Sequence, residues 1–472
     1  MSPAAPLRVL TISTTDVAGG AEVMARSLHQ AYRRAGVDAV MAVGARRGTD
    51  SSVVDLRSLE RFSPWRLLTD TVEAVALPAA GKIPGAGAVV RSARRWRHPQ
   101  RERDRRAGRE SWDFPASRAL LQLAATPGTV VHAHNLHGDW FDLRLLEQLR
   151  DVAPLFLSLH DAWLLSGHCA HSFACTRWRS GCGECPDLTI YPAVTRDATA
   201  ENWRRKRDIF LASRLNVATP NHWLMDRVDE SMLRPGLESA KLIPYGIDLE
   251  TFTPGDRGAA RRELGIPAGA DLLLASAHQM RFNMWKDPAL LRDAVGRVAA
   301  ALPRREIICV ALGGAAPEER VGDARFLSVF EPDHRRLALW YRAADLFIHP
   351  SRMDTQPLVV LESLACGTPV VATAVGGIPE MLTGAGGPES LDAIGDGAEA
   401  PSGGVLTPPG DAERMARALV TLLERPLLRA AMSRAGLAEV RKRFDLKVCA
   451  AAYLAWFAEI KKLRRDATPT SD

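Results

Sequence analysis

Ser351-Arg352-Met353-Asp354-Thr355-Gln356-Pro357-Leu358-Val359-Val360-Leu361-Glu362-Ser363-Leu364-Ala365-Cys366-Gly367-Thr368-Pro369 is the stretch on which the reading of this chain turns. A short apolar run, Leu346 to His349, ends at Pro350, and a polar loop follows with a carboxylate at Asp354. Pro357 suits the first helical position and Gly367 stops the helix. Strand, tight polar loop and helix in that order are the parts of a parallel α/β sheet. The helix start offers N–H groups to an anion, and Glu362 falls roughly one and a half turns further on. A loop carboxylate accepts hydrogen bonds from sugar hydroxyls, and a second acid along the helix suits a ribose diol. Together they fit a nucleotide sugar.

The same grammar extends outward on both sides. Strand runs at Leu272–Ala277, Ile307–Leu312, Phe326–Val329, Leu346–His349 and Val370–Thr373 alternate with helical patterns at 288–301, 333–344, 357–366 and 411–424. Earlier in the chain, Leu7–Thr14 turns through Gly19-Gly20 into a helix over 21–34, and further strands are expected at 39–43, 129–133 and 155–159. The fold class is therefore α/β, with two doubly wound Rossmann-like domains facing each other across a cleft. Ligands of such sheets bind at strand carboxyl ends and helix amino ends. The Pro and Gly punctuation from Ile243 to Gly255 reads as the linker. The expected domains are 1–245, with an Arg-rich insertion over 57–114 and a Cys-rich loop over 168–186, then 246–445, then a C-terminal helix that packs back on the body and a polar tail over 446–472.

Composition agrees with a soluble enzyme. With 472 residues, 46% hydrophobic and 25% charged, the chain is too long for a peptide hormone and too ordinary for a disordered or low-complexity protein. The formal charge is +6. Nine arginines between Arg91 and Glu110, against Glu102, Asp104 and Glu110, supply all of it, so a general polyanion binder is not indicated. That patch reads either as a solvated helix face or as a surface meeting an anionic membrane leaflet. Trp65, Leu67 and Trp96 are the candidate apolar anchors. No apolar run long enough to span a bilayer and no signal peptide is expected, which places the protein in the cytoplasm or on the inner face of the membrane.

The acid pair around the quoted helix resembles the E-x7-E element of the GT-B glycosyltransferases of family 4, with Asp354 in place of the first Glu and Gly376-Gly377-Ile378-Pro379-Glu380 following. Gly19-Gly20-Ala21-Glu22 resembles the glycine loop of that family, 243–248 its linker, and Lys286, with Arg281 at a shifted spacing, its pair of diphosphate-binding cations. The resemblance implies a retaining glycosyltransferase of bacterial polysaccharide or glycoconjugate biosynthesis, which moves a sugar from a nucleoside-diphosphate sugar to a glycan or lipid-linked acceptor. It implies catalytic roles for His160, Lys286 and Asp354. It implies donor contacts from Gly19, Gly20, Arg281, Lys286, Asp354, Pro357, Leu358 and Glu362. His134, His137 and Asp161, at strand ends of the first half, are acceptor-side candidates. No cofactor is required by such a transfer, because the departing phosphate takes the acceptor proton on the same face.

Cys169, Cys175, Cys182 and Cys185 fall within 17 residues. Four thiols so close suit a structural zinc ion; free thiols or a disulfide are the alternatives. Two other readings compete with the transferase. One is a non-hydrolysing nucleotide-sugar epimerase of the same fold. The other is a zinc-containing nucleic-acid binder, which leaves Lys286, Asp354 and Glu362 without a role, so nucleic acid is not an expected partner.

Overall fold

The computed structural model describes residues 5–17, 19–59, 64–80, 83, 85–277, 283–395 and 397–467. Two compact units emerge, one of residues 1–219, 225–241 and 454–472, the other of residues 220–224 and 242–453.

The first unit is built on strands β1 (Arg8–Thr15), β2 (Asp38–Ala45), β3 (Val54–Asp55), β4 (Thr129–Ala133), β5 (Leu155–Ser158), β6 (Leu215–Thr219) and β7 (Leu237–Leu242), in spatial order β3-β2-β1-β4-β5-β6-β7. The pairs from β3 to β6 are parallel. Between β1 and β2 runs α1 (Gly20–Arg34), the crossover a parallel pair needs. Parallel strands are covered on both faces, and β4 and β5 are accordingly apolar runs buried at every residue.

The second unit holds β8 (Asp271–Ser276), β9 (Ile307–Leu312), β10 (Ala316–Val321), β11 (Ala324–Val329), β12 (Leu346–His349), β13 (Val370–Thr373) and β14 (Gly404–Thr407), in order β10-β11-β9-β8-β12-β13-β14. Only β10 is antiparallel to its neighbour among the pairs whose register is described. Leu273, Ile307, Val295 and Leu419 belong to its shared core. The fold class read from the sequence, two doubly wound α/β units, is the one observed.

The Arg-rich insertion folds as α2 (Pro64–Ala76), α3 (Ala86–Arg97) and α4 (Pro99–Ala107). Helices α2 and α3 pack on one another, and Arg97 ties them through ion pairs to Asp70 and Glu73. Leu67, Leu68, Val75, Leu77, Ile83 and Trp96 on this segment are all at least 50% exposed. The side chain of Trp65 lies outside the described residues.

Candidate active site

In the second unit the quoted stretch folds as read, with one shift. Helix α8 spans Leu358–Ala365, after α5 (Thr199–Ser213), α6 (Pro288–Ala301) and α7 (His334–Ala343), and Pro357 stands at its N-cap rather than at its first turn. Pro357 and Leu358 therefore form the buried entry to the helix, whose first N–H groups have no intrahelical acceptor.

Lys286 is brought to this entry by its backbone. Lys286 bridges Ser351, the Asp287 N–H donates to Pro350 O at 2.7 Å, and the Arg352 N–H donates to Trp285 O at 2.8 Å. The Lys286 ammonium is ion-paired with Asp354 and lies 3.2 Å from His349 Nε2 and 3.1 Å from Ser351 Oγ. His349 Nε2 is also 3.2 Å from Asp354 Oδ2. Burial, then the neighbouring Lys286 charge, lowers His349 to about 4, so this imidazole is neutral near pH 7. Burial would raise Asp354, but Lys286 and then His349 outweigh it and hold the carboxyl well below the usual range. The result is a pre-assembled ammonium and carboxylate at a helix amino end. An ammonium and free N–H groups meet growing negative charge on a leaving diphosphate, while a carboxylate accepts from sugar hydroxyls.

Glu362 behaves differently from the loop acid. Only 5% exposed, it accepts a hydrogen bond from Tyr341 Oη at 2.7 Å. Burial raises its pKa to about 7, with the Tyr341 bond opposing. The carboxyl expected to hold a ribose is thus enclosed against a tyrosine in the structure. Arg281 lies outside the described residues.

Gly376 fixes the Asp354 loop from the other side. Its φ is +57°, a Cβ there would come within 1.8 Å of Asp354 O, and the Gly377 N–H donates to that same oxygen at 3.2 Å.

In the first unit, the strand ends gather a second polar cluster. His134 Nδ1 is 2.9 Å from His160 Nε2, with the rings stacked at 5.1 Å. His137 Nε2 is 2.8 Å from Asp161 Oδ2, and Asp161 Oδ1 accepts the Trp163 N–H at 2.9 Å. Burial lowers His160 to about 4 and holds His134 well below the usual imidazole range. His137 is the exception: burial opposes its charge, but Asp161 and Glu22 together raise its pKa. Asp161 is lowered to about 2, since His137 overcomes the burial that would raise it. Gly19 caps α1 at φ +97°, where a Cβ would meet Glu22 Oε2 at 2.2 Å. A Cβ on Gly20 would meet nothing within 4 Å, so packing does not demand that glycine. Burial raises the Glu22 pKa against stabilisation by its own backbone, His137 and Asn135.

The sequence groups His160 with Lys286 and Asp354 as catalytic and His134, His137 and Asp161 as acceptor-side candidates. In the structure Lys286 and Asp354 meet, and His160 lies beside His134 in the first unit, where His137 pairs with Asp161. His349, Ser351 and Glu22 escaped the sequence reading as site residues. His349 was visible as the polar end of an apolar strand, the same signal that pointed to His134 and His160. Ser351 and Glu22 were quoted within their motifs without a role.

In the cysteine loop, where zinc, free thiols and a disulfide are the alternatives, Cys185 Sγ lies 3.4 Å from His168 Nε2. All four thiols are free, and among the described residues no group of three or more His, Cys, Asp or Glu side chains is placed to hold a metal ion. Protein hydrogen bonds brace the loop. The Cys185 N–H donates to Asp197 at 2.7 Å, the Gly183 N–H to Thr199 Oγ1 at 2.9 Å, and the Gly167 N–H approaches Cys182 Sγ at 3.3 Å.

Residues 274–425, which carry Lys286, His349, Asp354 and Glu362, match the family described as Glycosyl transferases group 1. That stretch is similar to a group 1 glycosyl transferase domain. WcaC of Escherichia coli (strain K12), by name a colanic acid biosynthesis glycosyl transferase, is 29% identical over 284 residues, which is 56% of this chain and 65% of WcaC. A D-inositol 3-phosphate glycosyltransferase of Actinosynnema mirum is 41% identical over 157 residues, 29% of this chain and 36% of that enzyme. The chain thus spans under two thirds of the length of these relatives. At the level of fold the likeness is wider. Sucrose-phosphate synthase from Thermosynechococcus elongatus superposes with a TM-score of 0.60 at 19% identity, over 97% of this chain and 100% of its own. Anabaena HepE, solved in complex with UDP-glucose, does so with 0.56 at 18%, over 97% and 99%. These are GT-B neighbours, and the α/β architecture around the group 1 domain is theirs.

Proposed function

We propose that the protein is a retaining glycosyltransferase that transfers a hexose from a nucleoside-diphosphate sugar to a glycan or lipid-linked acceptor in bacterial polysaccharide or glycoconjugate biosynthesis. The observation that carries this reading is the Lys286–Asp354–His349 assembly at the amino end of α8, inside the group 1 domain. Asp354 orients the sugar through its hydroxyls. Lys286 and the helix N–H groups receive the diphosphate as its bond to the anomeric carbon breaks. The acceptor oxygen forms the new bond on the same face, and its proton passes to a departing phosphate oxygen. His160 lines the sugar side, while His134, His137 and Asp161 serve the acceptor. Each charge that develops has a protein group to meet it, so the proposed step draws on no cofactor. The complex of HepE with UDP-glucose supports a nucleotide-sugar donor in this fold.

Thermal-shift screening with UDP, GDP, ADP and dTDP tests the donor, since a ligand at a hundred times its Kd stabilises by about 2.7 kcal/mol. Lys286→Ala removes one preorganised donor, and turnover at saturating donor is expected to fall on the order of a hundredfold, about 3 kcal/mol. Unchanged turnover would overturn the assignment. Isomerisation of the donor sugar without any acceptor would identify an epimerase instead.

No described helix is long and apolar enough to cross a membrane. The exposed apolar side chains of α2 and α3 beside the arginines of 91–110 support a further part of the proposal, peripheral attachment to the anionic inner leaflet. Vesicles with anionic lipid are expected to sediment the protein at moderate salt, and Leu67→Ser with Trp96→Ser to reduce it. Equal sedimentation with neutral vesicles removes the electrostatic part of this reading.

A further inference from the structure

Behind the His137–Asp161 pair, the first unit holds a cavity of about 300 Å³, lined by α4, the turn after it, and residues 192–195. Its size is at the lower end of the roughly 300–1,000 Å³ of small-molecule sites. Three features of its wall stand apart from an ordinary surface cleft.

The first is its cations. Arg105 and Arg109 both line it. Arg105 pairs with Glu102 through Nε and one terminal nitrogen, and Arg109 with Glu201 through Nε. A guanidinium has five N–H donors in a planar fork, so each arginine keeps donors beyond its ion pair.

The second is its aromatic lining, which includes Trp112 and Trp163. Arg205 lies over the Trp112 ring at 3.9 Å, and Lys206 over the Trp163 ring at 3.8 Å. Lys206, itself fully buried, is paired with Glu110 at 2.9 Å and donates to Trp163 O and Ser166 O. Glu110 also accepts from Trp163 Nε1 at 2.7 Å. These braces hold the wall rigid, as a pre-formed site requires.

The third is an unmet donor. Trp112 is 5% exposed and its Nε1 has no hydrogen-bond partner among the described residues. A buried donor left unmade costs about 1–3 kcal/mol, and because this nitrogen is sealed from solvent, a ligand acceptor meets it only when the indole turns toward the cavity.

Resting on the reading of the first unit as the acceptor side, we infer that this cavity takes an acidic acceptor sugar, one that carries a carboxylate or a phosphate ester, with Arg105 and Arg109 on the acid and the two indoles on the ring. The shared chemistry is an oxyanion on a pyranose. Aromatic rings pack on sugar C–H faces, and the arginine fork matches a carboxylate or a phosphate bidentately. A neutral sugar would use the rings alone.

Calorimetric titration of the full-length protein tests this, with the donor site filled by whichever nucleoside diphosphate the thermal screen selects. The probes are glucuronic acid, glucose 6-phosphate, glucose and inorganic phosphate. At least one of the two sugar acids is expected to bind tenfold or more tighter than glucose and than inorganic phosphate, and which one it is identifies the acid. Arg105→Gln with Arg109→Gln, both on side chains 44–52% exposed and so tolerated by the fold, is expected to bring that acid down to the level of glucose. Trp112→Phe, which keeps a ring and removes only the unpartnered N–H, is expected to weaken it severalfold. Sugar acids no tighter than glucose, inorganic phosphate as tight as the sugar acids, or a double variant that binds like the parent would each overturn the inference. Nucleotide binding separates the two claims. Nucleotide bound without preference for the acids overturns this inference alone, whereas sugar acid bound by a protein that takes no nucleoside diphosphate supports the cavity and overturns the transferase reading.

Discussion

Glu362 shows how burial alone changes what a carboxyl group does. Its pKa is raised from the ordinary 4.5 to about 7 because the folded chain removes water from it, and the single Tyr341 bond does not compensate. The folded protein therefore holds this proton more tightly than the unfolded chain between those two values. Stability from this group is complete below about 4.5 and is lost as pH rises through 7. The swing is on the order of 3 kcal/mol at 1.36 kcal/mol per pKa unit. Glu362→Gln keeps the shape and an acceptor for Tyr341 while removing the titration. Urea melts of the variant are expected to show a flatter dependence between pH 4.5 and 7 than the parent, and parallel curves would refute the assignment. At this scale the sequence revealed the acid pair but not its asymmetry. Spacing put Asp354 and Glu362 on one loop and helix, and only coordinates show one carboxyl paired with an ammonium and the other enclosed against a phenol. His349 was legible as the polar end of an apolar strand but not as a partner of Asp354, because that role depends on Lys286 arriving from 63 residues away.

Among the elements, the loop from Ser351 to Pro357 is held by a glycine turn rather than by its own residues. Gly376 sits in the left-handed region with its Cα hydrogen against Asp354 O. Gly376→Ala adds a Cβ where none fits and strains a backbone that L side chains rarely adopt, together costing about 1–3 kcal/mol or more. The Asp354 loop is expected to shift, so turnover should fall with stability while nucleotide affinity, which draws on Lys286, falls less. A variant that loses stability but keeps full turnover would show that the turn matters to folding alone. The strands buried on both faces, such as β8, β9 and β12, were legible because each is a continuous apolar run. Strand β10, Ala-Pro-Glu-Glu-Arg-Val, was not, since an exposed antiparallel edge strand carries charge in place of apolar periodicity. Strands β7 and β14 were missed likewise, one for its half-exposed alternation and the other because it opens on Gly403-Gly404, which reads as a turn.

For the whole molecule, the last helix, α9 (Leu446–Ala467), belongs to the second unit through Tyr453 and to the first from Leu454 onward. Its sequence, Ala-rich with three aromatics, signals a helix that must cover something. Trp456 and Phe457 are fully buried, with ring centroids 4.8 and 4.5 Å from Phe156 of β5, and Phe457 is 5.9 Å from Tyr32 of α1. The core of the first unit is thus completed by residues about three hundred positions away from its central strands, so the amino-terminal half of the chain does not contain all of its own core. Trp456→Ala is expected to cost about 3–5 kcal/mol, as for other large aromatic truncations in a core. Hydrogen exchange localises that loss. Amides of β4 and β5 should lose protection in the variant, while those of β8, β9 and β12 keep it and nucleoside-diphosphate affinity stays at the parent value, because Lys286 and Asp354 belong to the second unit and Trp456 to the first. Equal loss of protection in both sheets would mean that the two units unfold as one, and the division of labour between them would have to be argued from chemistry alone.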